Sequence, residues 1–465
     1  MVGLTVLLDK RHTVMMLIVV VAATLMDGLD ASIVSIALPD IAEDLGVDTA
    51  TSSWATIIYL LVLSALIIPF ARISAQTGVR KVLAIGLAMF TIGSALCGLS
   101  PSFATLIAFR TVQAVGAAMM AAAGPMCCTE HLSPDRLGLG MSLVTIGASL
   151  GFAVGPAVGG AVTELLSWQW IFLINIPFGL VTVPLILIAI PASSETGGKP
   201  RVDLRGAAVL CTSVVLGVLG LEILSYEGTA LFSTTCMMAC IVLLALFIRL
   251  EKNTDIPLLR TSMLRDFGFA SVFLCLMLVN ASFMGVMYLV PFFGQIVLGM
   301  SPFEVGEYLL ISAVFTAVLG MPIARWSDRA GRRWFCIAAG IVLTVGFLMY
   351  ALWADGMSDL ELLTTVLVMG LGWALVGGPM ASRLVEHAGN ERDMAASLMN
   401  EAYYIGGAVG TAFAAMFFTI MSGAEGVDIS LLSAGMFLDG FVPTALASAA
   451  VAVAIFVLST ALRDD

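Results

Sequence analysis

Long apolar runs separated by short polar breaks cover almost the whole chain. A helix needs about 20 predominantly apolar residues to cross the hydrocarbon core of a bilayer. Runs of that kind fall at residues 13–36, 52–73, 82–99, 103–127, 137–165, 168–190, 206–226, 230–250, 267–298, 303–324, 334–353, 360–384, 395–420 and 438–462. They predict an all-α membrane protein with fourteen spans. A polar break at 191–205, with Ser193, Ser194, Gly197, Gly198 and Pro200, and a charged break at 251–266 set spans 7 and 8 apart. The expected domains are therefore a six-helix bundle over 1–190, a linker with two inserted helices over 191–266, and a second six-helix bundle over 267–465.

The basic residues fix an orientation. Lysine and arginine accumulate on the cytoplasmic side of membrane proteins. With both termini cytoplasmic, every lysine and arginine except Arg110 falls in a cytoplasmic segment or at a cytoplasmic helix end. The opposite loops carry Asp40, Glu43, Asp44, Asp48, Glu227, Asp355, Asp359, Glu425 and Asp428 and no basic residue. One misplaced span would invert every later loop, so the pattern supports the even count. The basic Lys10–Arg11 cluster precedes a run too long for a signal-peptide core, which reads as a retained first span.

An internal repeat accompanies this pattern. Asp328-Arg329-Ala-Gly331-Arg332-Arg333 joins spans 10 and 11, and Gly78-Val-Arg80-Lys81 joins spans 2 and 3. The offset of eight spans, where a plain duplication of six would give six, points to spans 7 and 8 as an insert. Such repeats place a substrate site near the bilayer midplane. In the second copy, Asp328 with Arg329, Arg332 and Arg333 forms a candidate cytoplasmic latch of charge-assisted bonds. The first copy has Ala75 and Gln76 in the corresponding stretch, so its latch rests on Gly78 and Arg80 alone. Ordinary positive-inside topology explains part of this basic content equally well.

Composition agrees with the membrane reading. With 60% hydrophobic and 11% charged residues, the chain cannot cover a soluble surface. The eight cysteines lie in or at the ends of apolar runs without metal-ligand spacing, and read as packing residues. No nucleotide-binding loop, nucleophile arrangement or metal site is visible, and no loop could house a soluble catalytic domain. The chain is expected to be no enzyme, to need no cofactor or metal, and to bind no nucleic acid or obligate protein partner.

One glycine-rich stretch stands out. Gly147, Gly151, Gly155 and Gly159 recur every four residues, which puts them on one face of a helix and lets another backbone come close. Gly160 follows, and Pro156 removes a helical hydrogen bond and predicts a kink.

Several of these segments together resemble the fourteen-span drug:proton antiporter family of the major facilitator superfamily. The resemblance rests on Leu29-Asp30-Ala-Ser-Ile-Val-Ser-Ile-Ala-Leu-Pro39, Arg110-Thr-Val-Gln113-Ala-Val-Gly116, the Gly151–Gly160 stretch and Trp168-Gln-Trp170-Ile-Phe-Leu-Ile-Asn175-Ile-Pro177. It implies two six-helix bundles plus the insert, a plasma-membrane location, and proton-coupled export of amphipathic small molecules by alternating access. Small-molecule substrate, protons and the lipid bilayer are the implied partners. It also implies span 10 as the partner of the glycine face. A uniporter or importer of a small metabolite on the same scaffold is the alternative, and a non-transporting membrane sensor a more distant one. Gln169 and Tyr403 stand where the family pattern usually has arginine.

The chemistry would reside in charges held at membrane depth. Asp27 and Asp30 lie one helical turn apart in span 1, and Arg110 in span 4 sits at a depth similar to that of Asp30. An ionised carboxylate there costs several kcal/mol, which makes such a group a candidate proton carrier. The competing reading is a static ion pair between spans 1 and 4. Gln113, one turn from Arg110, could join the same network. Glu307 and Glu401 are further proton-coupling candidates, and Glu222 is a weaker one on the inserted helices. Trp54, Tyr59, Asn280, Tyr288, Phe292, Gln295, Asn400 and Tyr404 are amphipathic residues within spans and form the candidate cargo-cavity set.

Overall fold

A computed structural model of the chain describes residues 10–47, 49–133, 136–191, 203–223, 229–254, 257–259, 263–424, 429 and 432–461. Among the described residues fourteen helical segments are long and apolar enough to cross a membrane, the sixth of them made of two helices in succession, and there is no strand. In chain order they are α1 (Lys10–Leu45), α2 (Trp54–Thr77), α3 (Val79–Gly98), α4 (Phe103–His131), α5 (Leu137–Leu165), α6 (Asn175–Ala189), α7 (Leu204–Ile223), α8 (Ala230–Glu251), α9 (Phe267–Ile296), α10 (Pro302–Ala330), α11 (Arg332–Trp353), α12 (Asp359–His387), α13 (Arg392–Ser422) and α14 (Ala434–Ala461). Several outrun their apolar cores. α1 has 36 residues, and at about 1.5 Å per residue its ordered length exceeds a hydrocarbon core of roughly 30 Å. Helical hydrogen bonding continues past the end of the hydrophobic signal, into Asp40, Glu43 and Asp44.

The sixth apolar run is not one helix. A short turn, Trp170–Leu173, precedes α6, and the two meet at Ile174. Pro177 has no N–H to donate to the carbonyl of Leu173, so the helical ladder is broken there. Helix starts elsewhere carry recognisable caps. Ser102 and Thr105 form a capping box at α4, and Ser301 and Glu304 form another at α10.

The chain divides into two compact units. The first comprises Met1–Val215, Val242–Thr261 and Ala388–Glu401, and the second Leu216–Ile241, Ser262–His387 and Ala402–Asp465. Both contain the same hairpin. Gly78 (φ 92°, ψ 136°) joins α2 to α3, and Gly331 (φ 92°, ψ 131°) joins α10 to α11. A positive φ of this size favours glycine, which has no Cβ to clash. Two residues further on in each copy an arginine ties the hairpin to a later helix of the same unit. Arg80 Nη2 donates to the Leu187 carbonyl at 2.6 Å, and Arg333 Nη2 to the Thr460 carbonyl at 2.6 Å.

Inside the first unit the glycine face of α5 packs on α1, which corrects the expectation of span 10 as its partner. A Cβ at Gly147, Gly151, Gly155 or Gly159 would meet Thr24, Leu25, Ser32 or Ile33. The reason is complementarity: α1 presents Thr24, Gly28 and Ser32 at the same four-residue spacing, and a Cβ on Gly28 would run into the backbone of Ala148. Gly160 lies off this face, where a Cβ would be 3.8 Å from Ile36 Cγ2. The helix continues through position 156, and the side chain of Pro156 is outside those described. The second unit has a shorter version of the seam. A Cβ at Gly406 would meet the Met277 carbonyl oxygen at 2.7 Å, and one at Gly285 the Gly410 carbonyl oxygen at 2.8 Å.

Candidate functional site

The polar centre of the first unit is built where α1, α2, α3, α4 and α6 converge. Asp30, Arg110, Gln113 and Ser94 are fully buried, and Asn175 is 1% exposed. Arg110 Nη1 donates to Asp30 Oδ2 at 2.6 Å and to Gln113 Oε1 at 2.7 Å, and its Nε donates to the Ala55 carbonyl at 3.0 Å. Asp30 Oδ1 accepts from Gln113 Nε2 at 2.8 Å and Asn175 Nδ2 at 3.2 Å. Both amides also donate to Ser94 Oγ, at 2.6 and 3.2 Å. One carboxylate therefore collects donors from α4 and α6. An ion pair in so dry a place is stable only when its remaining lone pairs and protons are also satisfied, and these bonds do that.

Tyr59 links the second carboxylate to this network. Its hydroxyl donates to Asp27 Oδ1 at 2.8 Å, and its ring carries the Arg110 guanidinium at 4.2 Å from the centroid. Phe172 lies on the guanidinium as well, at 5.5 Å. Arg110 Nη2, which has no hydrogen-bond partner among the described residues, is thus beside aromatic faces that attract a cation. Asp27, Tyr59, Arg110 and Asp30 form one connected path, and Tyr59, a cargo-cavity candidate in the sequence, sits within it. The helix positions of Asp30, Arg110 and Gln113 pointed to this cluster. Ser94, the Ala55 carbonyl and the role of Asn175 did not show, since single neutral residues in apolar runs carry little periodic signal.

The remaining candidates are spread more widely. Glu401 is buried, and both its carboxylate oxygens lack a hydrogen-bond partner among the described residues. Its neighbour Asn400 donates to the Ala121 carbonyl of α4 at 2.7 Å. That carbonyl is free because Pro125, four residues on, has no N–H to give it. Ser397 Oγ donates to the Ala122 carbonyl at 2.9 Å and Thr129 Oγ1 to Asp393 Oδ1 at 2.7 Å, so one face of α13 is fastened to α4. Glu307 is exposed near the start of α10 and stands apart from these buried groups. The side chain of Glu222 is outside those described.

In the second unit, Asn280 is buried and donates to the Leu276 carbonyl of its own helix, while Gln295 is exposed and donates to Pro291. Tyr288 is exposed and meets Phe292 edge to face at 5.8 Å. Tyr404 is partly buried, and Trp54, in the first unit, is exposed. The latch residues also separate. Arg332 pairs with Asp328 Oδ1 at 2.7 Å and with Glu386 of α12, whereas Arg329 is exposed and Arg333 is bonded to Thr460. Glu386 had no sequence signal, being one acid among others at a helix end.

Fourteen apolar helical segments among the described residues, with a buried ion pair inside the first unit, define a multi-pass membrane protein of the transporter kind. The sequence profile of the Major Facilitator Superfamily matches residues 20–411, and the chain belongs to that family. It is similar to the tetracenomycin C resistance and export protein of Streptomyces glaucescens, with 30% identity over 85% of this chain and 74% of the relative. It is also similar to the cephamycin export protein CmcT of Amycolatopsis lactamdurans, with 30% identity over 94% of this chain and 90% of that protein. Among solved structures, the human organic anion transporter MFSD10 (TETRAN) shares the fold, with a TM-score of 0.68, 17% identity and coverage of 97% of this chain and 100% of that one.

Proposed function

We propose that the chain is a proton-coupled secondary active exporter of amphipathic small molecules, cationic drugs included, working by alternating access in the plasma membrane with both termini cytoplasmic. Its working parts on this reading are two six-helix bundles and the inserted pair α7–α8. The observation that carries the reading is the buried path Asp27–Tyr59–Arg110–Asp30, with Gln113 and Asn175 on the same carboxylate. Protonation of Asp30 removes the charge that Arg110 holds, so α1 and α4 lose a bond that spans them. Loss of the proton restores it. Proton occupancy thereby biases two arrangements of the helices, which is what coupling requires. Glu307 and Glu401 are proposed as further proton-coupling groups, and the Asp328–Arg332–Glu386 cluster as a cytoplasmic latch.

Export as the direction is supported by the two relatives, both named for export. One charge moving through 100 mV supplies about 2.3 kcal/mol, enough for a cargo gradient of roughly fifty-fold without nucleotide hydrolysis. The test uses purified protein in vesicles with an imposed pH gradient and a panel of cationic dyes and antiseptics. Accumulation that collapses when a protonophore is added supports the reading. Transport that proceeds equally without a gradient would replace it with a uniporter.

A further inference from the structure

The first unit holds an amide that touches both members of its buried ion pair. Gln113 Oε1 accepts from Arg110 Nη1 at 2.7 Å, and Gln113 Nε2 donates to Asp30 Oδ1 at 2.8 Å. Two residues of α3, one turn apart, complete its bonding. The Cys97 thiol donates to Oε1 at 3.7 Å, and Ser94 Oγ accepts from Nε2 at 2.6 Å. A primary amide has two N–H donors and an oxygen with two lone pairs, so all four are used. Asp30, Ser94, Cys97, Arg110 and Gln113 are all fully buried.

The orientation of this amide follows from the charge of its neighbours. A guanidinium can only donate and an ionised carboxylate can only accept, so oxygen toward Arg110 and nitrogen toward Asp30 is what an ionised Asp30 requires. The α3 partners impose no such choice, because a hydroxyl and a thiol can each donate or accept. The terminal torsion of glutamine is two-fold, and turning it over exchanges oxygen and nitrogen within the same volume. The rest of the side chain is held in place: α3 meets its root at Gly93, where a Cβ would lie 2.7 Å from Gln113 Cα.

A proton on Asp30 Oδ1 turns that oxygen into a donor aimed at the N–H of Gln113. Arg110 and Asn175 also meet this carboxylate as donors, so neither relieves the conflict. Turning the amide over does. Oε1 then accepts from the new O–H and from the rotated Ser94 hydroxyl, while Nε2 faces Cys97 Sγ and Arg110. Arg110 now meets a donor where it had an acceptor, and it loses Gln113 and the Asp30 charge in one step. It keeps the Ala55 carbonyl at 3.0 Å and the Tyr59 ring at 4.2 Å.

We propose that the Gln113 amide is the two-state element of this site, turning over when Asp30 takes up a proton and thereby releasing Arg110. This deepens the reading of Asp30 as the proton carrier and rests on it. One O–H bond forms, with a proton from water, and no other covalent bond changes. Gln113 is a positioning residue, and Ser94 and Cys97 are the pair that satisfies it in both states. The charged and titratable groups around the amide are Asp30 of α1, Arg110 of its own helix and Cys97 of α3, with Tyr59 of α2 and Asp27 of α1 beyond the guanidinium. α6 and the part of α5 packed on α1 contain none.

The test is the infrared difference spectrum of the purified full-length protein between low and high pH, recorded without cargo or gradient. An S–H stretch lies where proteins have no other absorption, and its wavenumber rises when the thiol loses its acceptor. The Cys97 band, assigned by its loss in Cys97→Ala, is expected to move to higher wavenumber at low pH and to stop responding to pH in Asp30→Asn. The carbonyl band of protonated Asp30, assigned by its loss in Asp30→Asn, is expected to move to higher wavenumber in Gln113→Met, which fills the same space without an acceptor. A Cys97 band that stays fixed while Asp30 protonates, one that still moves in Asp30→Asn, or an Asp30 carbonyl band unchanged in Gln113→Met would overturn the switch. Should Gln113→Met not fold, the Cys97 band in the parent and in Asp30→Asn decides the matter. The expected shifts in a protein that shows no pH-driven transport leave the switch standing and remove the antiporter reading. pH-driven transport with a stationary Cys97 band does the reverse.

Discussion

Adding one methyl group to the glycine seam should separate two positions that look alike in the sequence. A Cβ on Gly151 would lie 2.7 Å from the Leu29 backbone nitrogen and closer still to the Leu25 carbonyl oxygen. Non-bonded heavy atoms settle at roughly 3.5–4.0 Å, so α1 and α5 would have to part by about 1 Å. Both obstacles are main-chain atoms and cannot rotate away. Overpacking of this kind costs about 1–3 kcal/mol. On Gly160 the new Cβ would be 3.8 Å from Ile36 Cγ2, an ordinary contact, and the cost should stay within about 0.5 kcal/mol. Gly151→Ala is therefore expected to lower the apparent melting temperature of the detergent-solubilised protein and to slow transport in vesicles, while Gly160→Ala matches the parent in both. Gly155→Leu, which drives a branched side chain against Ser32 and Ile33, should be worse than either. Equal behaviour of the two alanine variants would refute the assignment of α1 as the partner of this face.

Further predictions concern charge, capping and topology. Asp30→Asn keeps the size of the side chain but removes the titratable group and one of its two acceptor oxygens, so pH-driven transport should fail while passive exchange persists; unimpaired pH-driven transport would move the proton-carrying role to Asp27, Glu307 or Glu401. Asn400→Ala should cost about 1–3 kcal/mol by orphaning the Ala121 carbonyl. In a Pro125→Ala background the helix regains its own donor, and a thermal-stability cycle should show most of that cost gone. A cysteine placed at Asp44, Asp359 or Asp428 should react with an impermeant thiol reagent on intact cells, and one at Arg201 should not. Labelling of the Arg201 position from outside would overturn the orientation.

How much of this was readable depends on whether the signal is periodic. The spans were, because an unbroken stretch of about twenty apolar residues is what a bilayer crossing demands and what a soluble helix, polar on one side, does not contain. Each run holds a helix of the structure, several of which extend beyond it, and Pro177 breaks the sixth. Asp30, Arg110 and Gln113 stood out because charge is expensive at membrane depth. The partner of the glycine face was misassigned, although Thr24, Gly28 and Ser32 repeat at the spacing of Gly147, Gly151 and Gly155. Periodicity identifies a face without naming what covers it. The second seam at Gly406 and Gly410 escaped for want of the longer run. Asn175 and Ser94 were invisible as network members, since the carboxylate that gives them a purpose is more than 60 residues away in the chain.

The bond from Asn400 to the Ala121 carbonyl also bears on the timing of synthesis. The donor is encoded 279 residues after the acceptor. At roughly 5–20 residues per second a ribosome needs about fifteen seconds to one minute to make the intervening chain. Throughout that interval α4 is in the bilayer with a main-chain oxygen that its own helix cannot satisfy. Until α13 emerges, that oxygen must borrow a donor from water, from an early neighbour or from the insertion machinery. A chain stalled before residue 400 should accordingly leave the Ala121 carbonyl of α4 open to quality control, even with its first six helices fully made.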